Sequence, residues 1–242
     1  MTIARVNFYG RITPSMAQGY ADIFQYIKRK RRITAVVLVV NSGGGDATAS
    51  EMLYRSLAAL NAIKPVYAVI QGIGASGAYW VAIGARKIYA MSTSIVGSIG
   101  VISVSPNIRK MLEKIGVEIN LFKAGKHKDM LSPFGEQDEE ARSLYQNMLN
   151  DVYEVFRSEV VKRRGLDASP DSEATSGLVF SSKKALDLKL IDKIGGLEEA
   201  IEDVARDFNL PRKVKTFEPK RPLVSRLIGM ASETILSELG LN

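Results

Sequence analysis

The chain has 242 residues, 46% hydrophobic and 24% charged, with a formal net charge of +7, as expected of a folded protein with one large or two small domains. It has no cysteine and one histidine, His127, which excludes disulfides, thiolate nucleophiles, cysteine-based metal sites and a multi-histidine metal site within one chain. No stretch reaches the roughly 18 uninterrupted apolar residues of a membrane span, "MTIARVNFYG" lacks the basic region and apolar core of a signal peptide, and the positive charges read as scattered over a solvated surface without a nucleic-acid motif.

In chain order, "IARVNFY" predicts a strand, residues 15–30 a helix, and "ITAVVLVV" a buried strand rich in β-branched residues. "NSGGGDA" is a turn opening a helix over 48–63. "PVYAVI" is a second buried strand, and "KIYAM" and "EINLFKA" are later ones. This alternation predicts an α/β domain with parallel pairing. Residues 136–164 predict one long amphipathic helix, with Ala141, Tyr145, Met148, Leu149, Val152 and Phe156 at helical spacing. Its acidic start and basic end suit the helix dipole, and Gly165 stops it. Proline and basic residues cluster in "NLPRKVKTFEPKRP". That cluster divides a domain over 1–209 from a basic linker and amphipathic C-terminal helix over 210–242, with Leu223, Leu227, Ala231 and Ile235 as its apolar stripe. The tail is expected to pack back on the domain or to dock on a neighbouring subunit or a membrane surface.

The stretch "VYAVIQGIGASGAYW" holds G-x-G-x-x-G on Gly72, Gly74 and Gly77, which poses a choice between a dinucleotide loop and a displayed nucleophile, Ser76. A dinucleotide site needs an acidic residue about 20 positions on for the ribose, yet no Asp or Glu occurs between Gly77 and Glu113. No cofactor and no metal is therefore expected. A serine nucleophile needs a base. The hydrolase elbow would put glycine where Ala78 stands, and the histidine base could only be His127. A neutral lysine does the same work when burial lowers its pKa. Lys128, with Met130, Leu131 and Phe134 nearby, is the candidate. His127 is expected to face away from it on an extended segment.

Five segments in order resemble the signal peptide peptidase A family of serine proteases, over about residues 3–200. They are "VVNSGGGDATASEMLYRSL", "KPVYAVIQGIGASGAYWVAIGARKIYAM", "STSIVGSIGVI", "LFKAGKHKDMLSPF" and "GLVFSSKKALDLKLIDKIGGLEEAI". The resemblance implies a Clp protease/crotonase fold, a repeated ββα spiral core with a long helix and a C-terminal helical extension. It implies a Ser-Lys dyad with Ser76 as nucleophile and Lys128 as general base, and Ser98 orienting the lysine. The backbone N–H groups of Gly77 and of Gly44 (or Gly45) would form the oxyanion hole. Gly43 stands where the family usually has proline, which loosens that loop.

The implied substrate is an extended apolar peptide, such as a remnant signal peptide, paired edge-on to a strand. The implied partner is a homo-oligomer with active sites shared between subunits, with possible membrane-surface association and no nucleic acid. Many relatives carry an N-terminal membrane anchor that is not seen here, so the expected form is a soluble cytoplasmic protein or a soluble fragment. Two rival readings share the fold: a crotonase-like acyl-CoA enzyme, which would not need Lys128, and a non-catalytic peptide-binding scaffold, which would need neither Ser76 nor Lys128.

Overall fold

The structure, a computed structural model, describes residues 1–135, 139–169 and 172–219. The chain opens with β1 (Thr2–Tyr9), α1 (Pro14–Arg29), β2 (Ile33–Ser42), α2 (Ala47–Asn61), β3 (Val66–Ala75) and α3 (Gly77–Ala82). Then come β4 (Lys87–Ala90), β5 (Ile95–Gly97), α4 (Arg109–Lys114) and α5 (Glu139–Arg164). It closes with β6 (Val179–Ser181), α6 (Ser182–Asp187), β7 (Lys193–Ile194), α7 (Leu197–Asp207) and β8 (Val214–Phe217). The predicted strands and helices before residue 91 all form, with ends displaced by a few residues.

The central sheet runs β6-β5-β3-β2-β1-β8, with β4 also on β3 and β7 on β4. Pairing is parallel except for β5 with β6. The middle strands are buried on both faces, which is why β2 reads as an almost unbroken apolar run. One face carries α1, α2 and α3 over Phe8, Leu38, Val40 and Ile70. The other carries α7 over Val37, Val39, Tyr67 and Tyr89.

Strand β3 switches partner midway. Tyr67–Ile70 pair with β4, and Ile73–Ala75 pair with β5. Its register against β2 jumps from Val40↔Ile70 to Ser42↔Gly74, so the bulge at Gln71–Ile73 re-aims the strand end. Gly72 takes φ +108° there, where a Cβ would meet Asn41 Oδ1 at 2.7 Å. The Ile73 N–H donates to that same Oδ1 at 3.1 Å. The glycine is thus used for a close backbone approach within the sheet.

The structure revises two parts of the sequence reading. "EINLFKA" forms no strand; residues 118–124 are irregular and largely exposed, and among the described residues no strand offers this segment a ladder. Val214–Phe217, inside the expected linker, is a strand paired with β1, so the sheet extends beyond residue 209. Its basic and proline-rich flanks masked a four-residue edge strand. The predicted C-terminal helix lies outside the described residues.

From Gly100 onward an arm leaves this core. It comprises residues 101–135 and the first half of α5. Along α5 only Ala141, Phe156, Arg157 and Val160 are buried. On the arm Ile102, Val104 and Phe122 are 89%, 85% and 91% exposed. Its internal ties are mostly polar: Tyr145 Oη bonds Ser103 Oγ at 2.5 Å, Asn107 Nδ2 donates to Gly135 O at 2.9 Å, and Lys123 pairs with Asp129 at 2.7 Å.

Candidate active site

Ser76 stands between β3 and α3, at φ +52° and ψ −128°. A non-glycine residue in this region is strained and persists only where its surroundings over-determine it. Here they do. Ser76 N–H donates to Gly97 O at 2.8 Å and Ser76 O accepts from Trp80 N–H at 3.0 Å, so both backbone groups are fixed. Downstream, every residue of α3 is buried. Tyr79 Oη donates to Leu190 O at 2.7 Å, and Trp80 stacks on Phe156 at 4.6 Å and 14°. Burial raises the Tyr79 pKa, so the phenol stays a donor.

The glycine turn after β2 meets this junction directly. A Cβ on Gly44, at φ +92°, would lie 2.7 Å from Gly77 N and 3.0 Å from Ser76 Cβ. A Cβ on Gly45 would instead meet Ile12 O at 2.1 Å. Gly44 therefore abuts the serine, while Gly45 is committed to the Ile12 bridge. A Cβ on Gly77 would strike Ser50 Oγ of α2 at 2.1 Å, so this glycine allows two helix starts to touch. Among the described residues nothing accepts from the Gly77 N–H, a first-turn donor left open. The Gly44 N–H donates to Ser42 Oγ at 3.1 Å. All three glycines of G-x-G-x-x-G are thus explained by packing: Gly72 on Asn41, Gly74 on Ile70 and Gly77 on Ser50.

Ser98 follows Gly97, and Gly97 pairs with Ala75. Ser98 is therefore one step beyond the strand pairing, as Ser76 is, on the neighbouring strand about 4.8 Å away. It too has positive φ, +51°, and its N–H donates to Leu178 O at 2.7 Å.

Lys128 is placed differently. It lies on the arm, in a run of turns where its N–H donates to Gly125 O at 3.2 Å. It is exposed, so the described residues do not supply the burial expected from its apolar neighbours. No hydrogen bond joins Lys128 to Ser76 or Ser98 among the described residues. The segment is not extended, so the alternation expected to turn His127 away does not apply; His127 Nε2 lies 3.6 Å from Glu140 Oε1. The structure thus gathers Ser76, Gly77, Gly44 and Ser98 into one corner and leaves Lys128 outside it.

Sequence reasoning passed over Asn41, Ser42, Ser50 and Ser94. Ser94 Oγ accepts from Gly72 N–H at 3.2 Å and donates to Ile70 O at 2.8 Å, pinning the bulge. Asn41 and Ser42, polar residues ending an apolar strand just before glycines, carried a signal that could have found them.

Among the described residues no group of three or more His, Asp or Glu is placed to hold a metal ion, and no helix is long and apolar enough to cross a membrane. The fold resembles that of a mutant ClpP1 from Listeria monocytogenes, with a TM-score of 0.55 at 12% identity over 81% of this chain and 93% of that one. It also resembles a mutant membrane-bound stomatin-specific protease, with a TM-score of 0.61 at 13% identity over 90% and 98%. In sequence, the chain is 34% identical to a Synechocystis sp. protein named as a candidate protease, over 99% of this chain and 88% of that one. It is 30% identical to the chloroplastic serine protease SPPA of Arabidopsis thaliana over 91% of this chain, but spans only 33% of that protein. Residues 58–210, from the end of α2 to just beyond α7, match the model of peptidase family S49. The strained serine on its glycine frame therefore belongs to a member of peptidase family S49, a serine peptidase of the SppA type on a Clp-like fold.

Proposed function

We propose that the chain is an endopeptidase that uses a Ser76–Lys128 dyad completed between two copies. The observation that carries this is the corner itself: Ser76 is held at φ +52° with the open Gly77 N–H and Gly44 against it. In this scheme neutral Lys128 Nζ takes the Ser76 Oγ proton as Oγ attacks a peptide carbonyl. The protonated amine returns that proton to the leaving nitrogen as the C–N bond breaks, giving an acyl-serine. Water, deprotonated by Lys128, then attacks the acyl carbon and frees Ser76. Gly77 N–H receives the developing oxyanion, joined by Gly44 N–H once Ser42 Oγ releases or shares it. Ser98 Oγ orients the amine.

The shared site is supported by Lys128 being exposed on an arm that also exposes large apolar side chains. A neighbour packed on that arm would cover Ile102 and Phe122 and would bring an outside lysine to Ser76. The substrate is an extended apolar peptide of the remnant signal peptide kind. Ile73 and Ile95, a cross-strand pair near the serine, are 40% and 43% exposed, which gives such a peptide an apolar surface to lie on. Neither rival fits these features as well: an acyl-CoA enzyme or a peptide scaffold has no use for a strained serine hydroxyl.

A fluorophosphonate probe tests the reading. Mass spectrometry should find the adduct on Ser76, and Ser76→Ala should take no label. An adduct on another residue, or no adduct on an assembled sample, rejects it.

A further inference from the structure

Lys28, Arg29, Lys30, Arg31 and Arg32 are consecutive, so the positive charge is not evenly scattered as its overall distribution implied. Lys28 and Arg29 end α1, Lys30 caps it, and the two arginines turn the chain into β2. Basic residues at a helix C-terminus ordinarily answer its open carbonyls and its dipole. Here Lys64, a buried residue before β3, answers them instead. Its Nζ donates to Ile27 O at 2.5 Å and to Lys30 O at 2.7 Å.

Residues 29–32 are exposed, and among the described residues none of the five has an acidic partner. A cleft of 490 Å³ opens beside them, lined by Asp22, Gln25, Tyr26, Arg29 and Lys30. Its one carboxylate, Asp22, accepts from Gln18 Nε2 at 2.9 Å. Lys30 Nζ lies 4.9 Å from the Tyr26 ring centre. Tyr26 is 47% exposed, and Ile63, next to Lys64, is 58% exposed.

This pole lies away from the serine. Ile33 starts β2 and Ser42, paired with Gly74, ends it, a span of about 30 Å along the strand. A surface bound at residues 28–32 would leave the active corner open.

We infer that the Lys28–Arg32 turn docks the protein on an anionic bilayer, the cations among lipid phosphates and Tyr26 and Ile63 at headgroup depth. Five cations that lack a carboxylate partner among the described residues complement a negative leaflet. An exposed aromatic and an aliphatic residue beside them suit an interface that is apolar on one side, which favours a bilayer over a nucleic acid. The inference does not depend on the dyad.

The test is flotation of the full chain with phosphatidylcholine vesicles, with and without phosphatidylglycerol. Binding should need phosphatidylglycerol and fall with added salt. Each basic residue near such a leaflet raises partitioning roughly fivefold, so Arg29→Gln, Arg31→Gln and Arg32→Gln together should lower it on the order of a hundredfold. Lys110→Gln, Lys162→Gln and Lys183→Gln together, with the same change in net charge, should lower it far less. Hydrolysis of a short soluble peptide by the arginine variant should match wild type. Equal losses in the two triple variants would reduce the effect to net charge and overturn the inference. So would unchanged binding by the arginine variant, or patch-dependent binding of single-stranded RNA with no vesicle binding.

Discussion

The core and the arm of this molecule hold the two halves of the proposed chemistry in opposite ways. Ser76 sits where β2, β3, β5 and α3 converge, with both backbone groups bonded and a buried helix behind it. Lys128 sits exposed on turns of the arm, the same stretch in which Phe122 is 91% exposed. The proposed nucleophile is therefore held by folding of one chain, whereas the described residues leave the proposed base exposed. In the proposed scheme the lysine depends on whatever covers the arm.

The largest effect that can break this comparison comes from mixing. Ser76→Ala and Lys128→Ala should each be inactive. Unfolded together and refolded in equal amounts, they should regain about a quarter of wild-type sites, since some sites then pair an intact serine with an intact lysine. No recovery would place both residues in one chain and make the arm part of a self-contained site.

Next in size is a contrast within α5. Phe156 is 1% exposed and stacks on Trp80, whereas Leu144 is 45% exposed. Phe156→Ala should cost about 3–5 kcal/mol of stability in a denaturant titration. Leu144→Ala should leave the unfolding midpoint of dissociated protein almost unchanged while lowering the oligomer fraction in sedimentation. Equal losses of stability would mean that the arm is core after all.

The glycine frame gives a sharper test of the serine corner. Gly44→Ala sets a methyl 2.7 Å from Gly77 N, on a backbone at φ +92°. It should lower kcat about 10²–10³-fold by obstructing an oxyanion donor. A Gly44→Ala protein with normal kcat would remove Gly77 N–H from the mechanism.

The smallest effect lies on the far face, which should be indifferent to catalysis. Asp207 accepts from Lys87 and from Tyr67, and these bonds hold its carboxyl at about 2. Asp203 is likewise lowered, first by Lys193 and then by Tyr89. A carboxylate depressed in the folded state contributes stability above its unfolded pKa, near 3.9. That contribution is lost as pH falls through the folded value. Asp207→Asn should therefore cost about 1 kcal/mol at neutral pH, solvent screening keeping it small. The gap from wild type should close between about pH 4 and pH 2, with kcat unchanged. A gap that widens in acid would reverse the assigned sign.

Legibility followed burial. The strands before residue 91 and their helices were readable because β-branched runs and helical spacing report on contacts that every copy of the chain makes with itself. The same holds for Ser76: an apolar strand, small residues and a buried helix form a local pattern. "EINLFKA" has strand composition but no ladder, since a strand needs a partner that its own sequence cannot supply. Val214–Phe217 went unseen for the converse reason: its composition is poor, but β1 offers an open edge. The basic run at 28–32 was in plain view, and what gives it meaning is Lys64, a residue remote in sequence that takes over the capping of α1.

The sequence by itself determined the α/β order, the exclusion of thiol and multi-histidine chemistry, and the small set of residues able to act as nucleophile. Tertiary structure alone decided that Gly44 rather than Gly45 meets the serine, and that Ser98 lies one strand away. It also decided that Lys128 lies on an exposed arm. Periodicity encodes which face of an element is buried, but not which remote element buries it; that is set by register, crossover and close backbone approach, which join residues far apart in the chain.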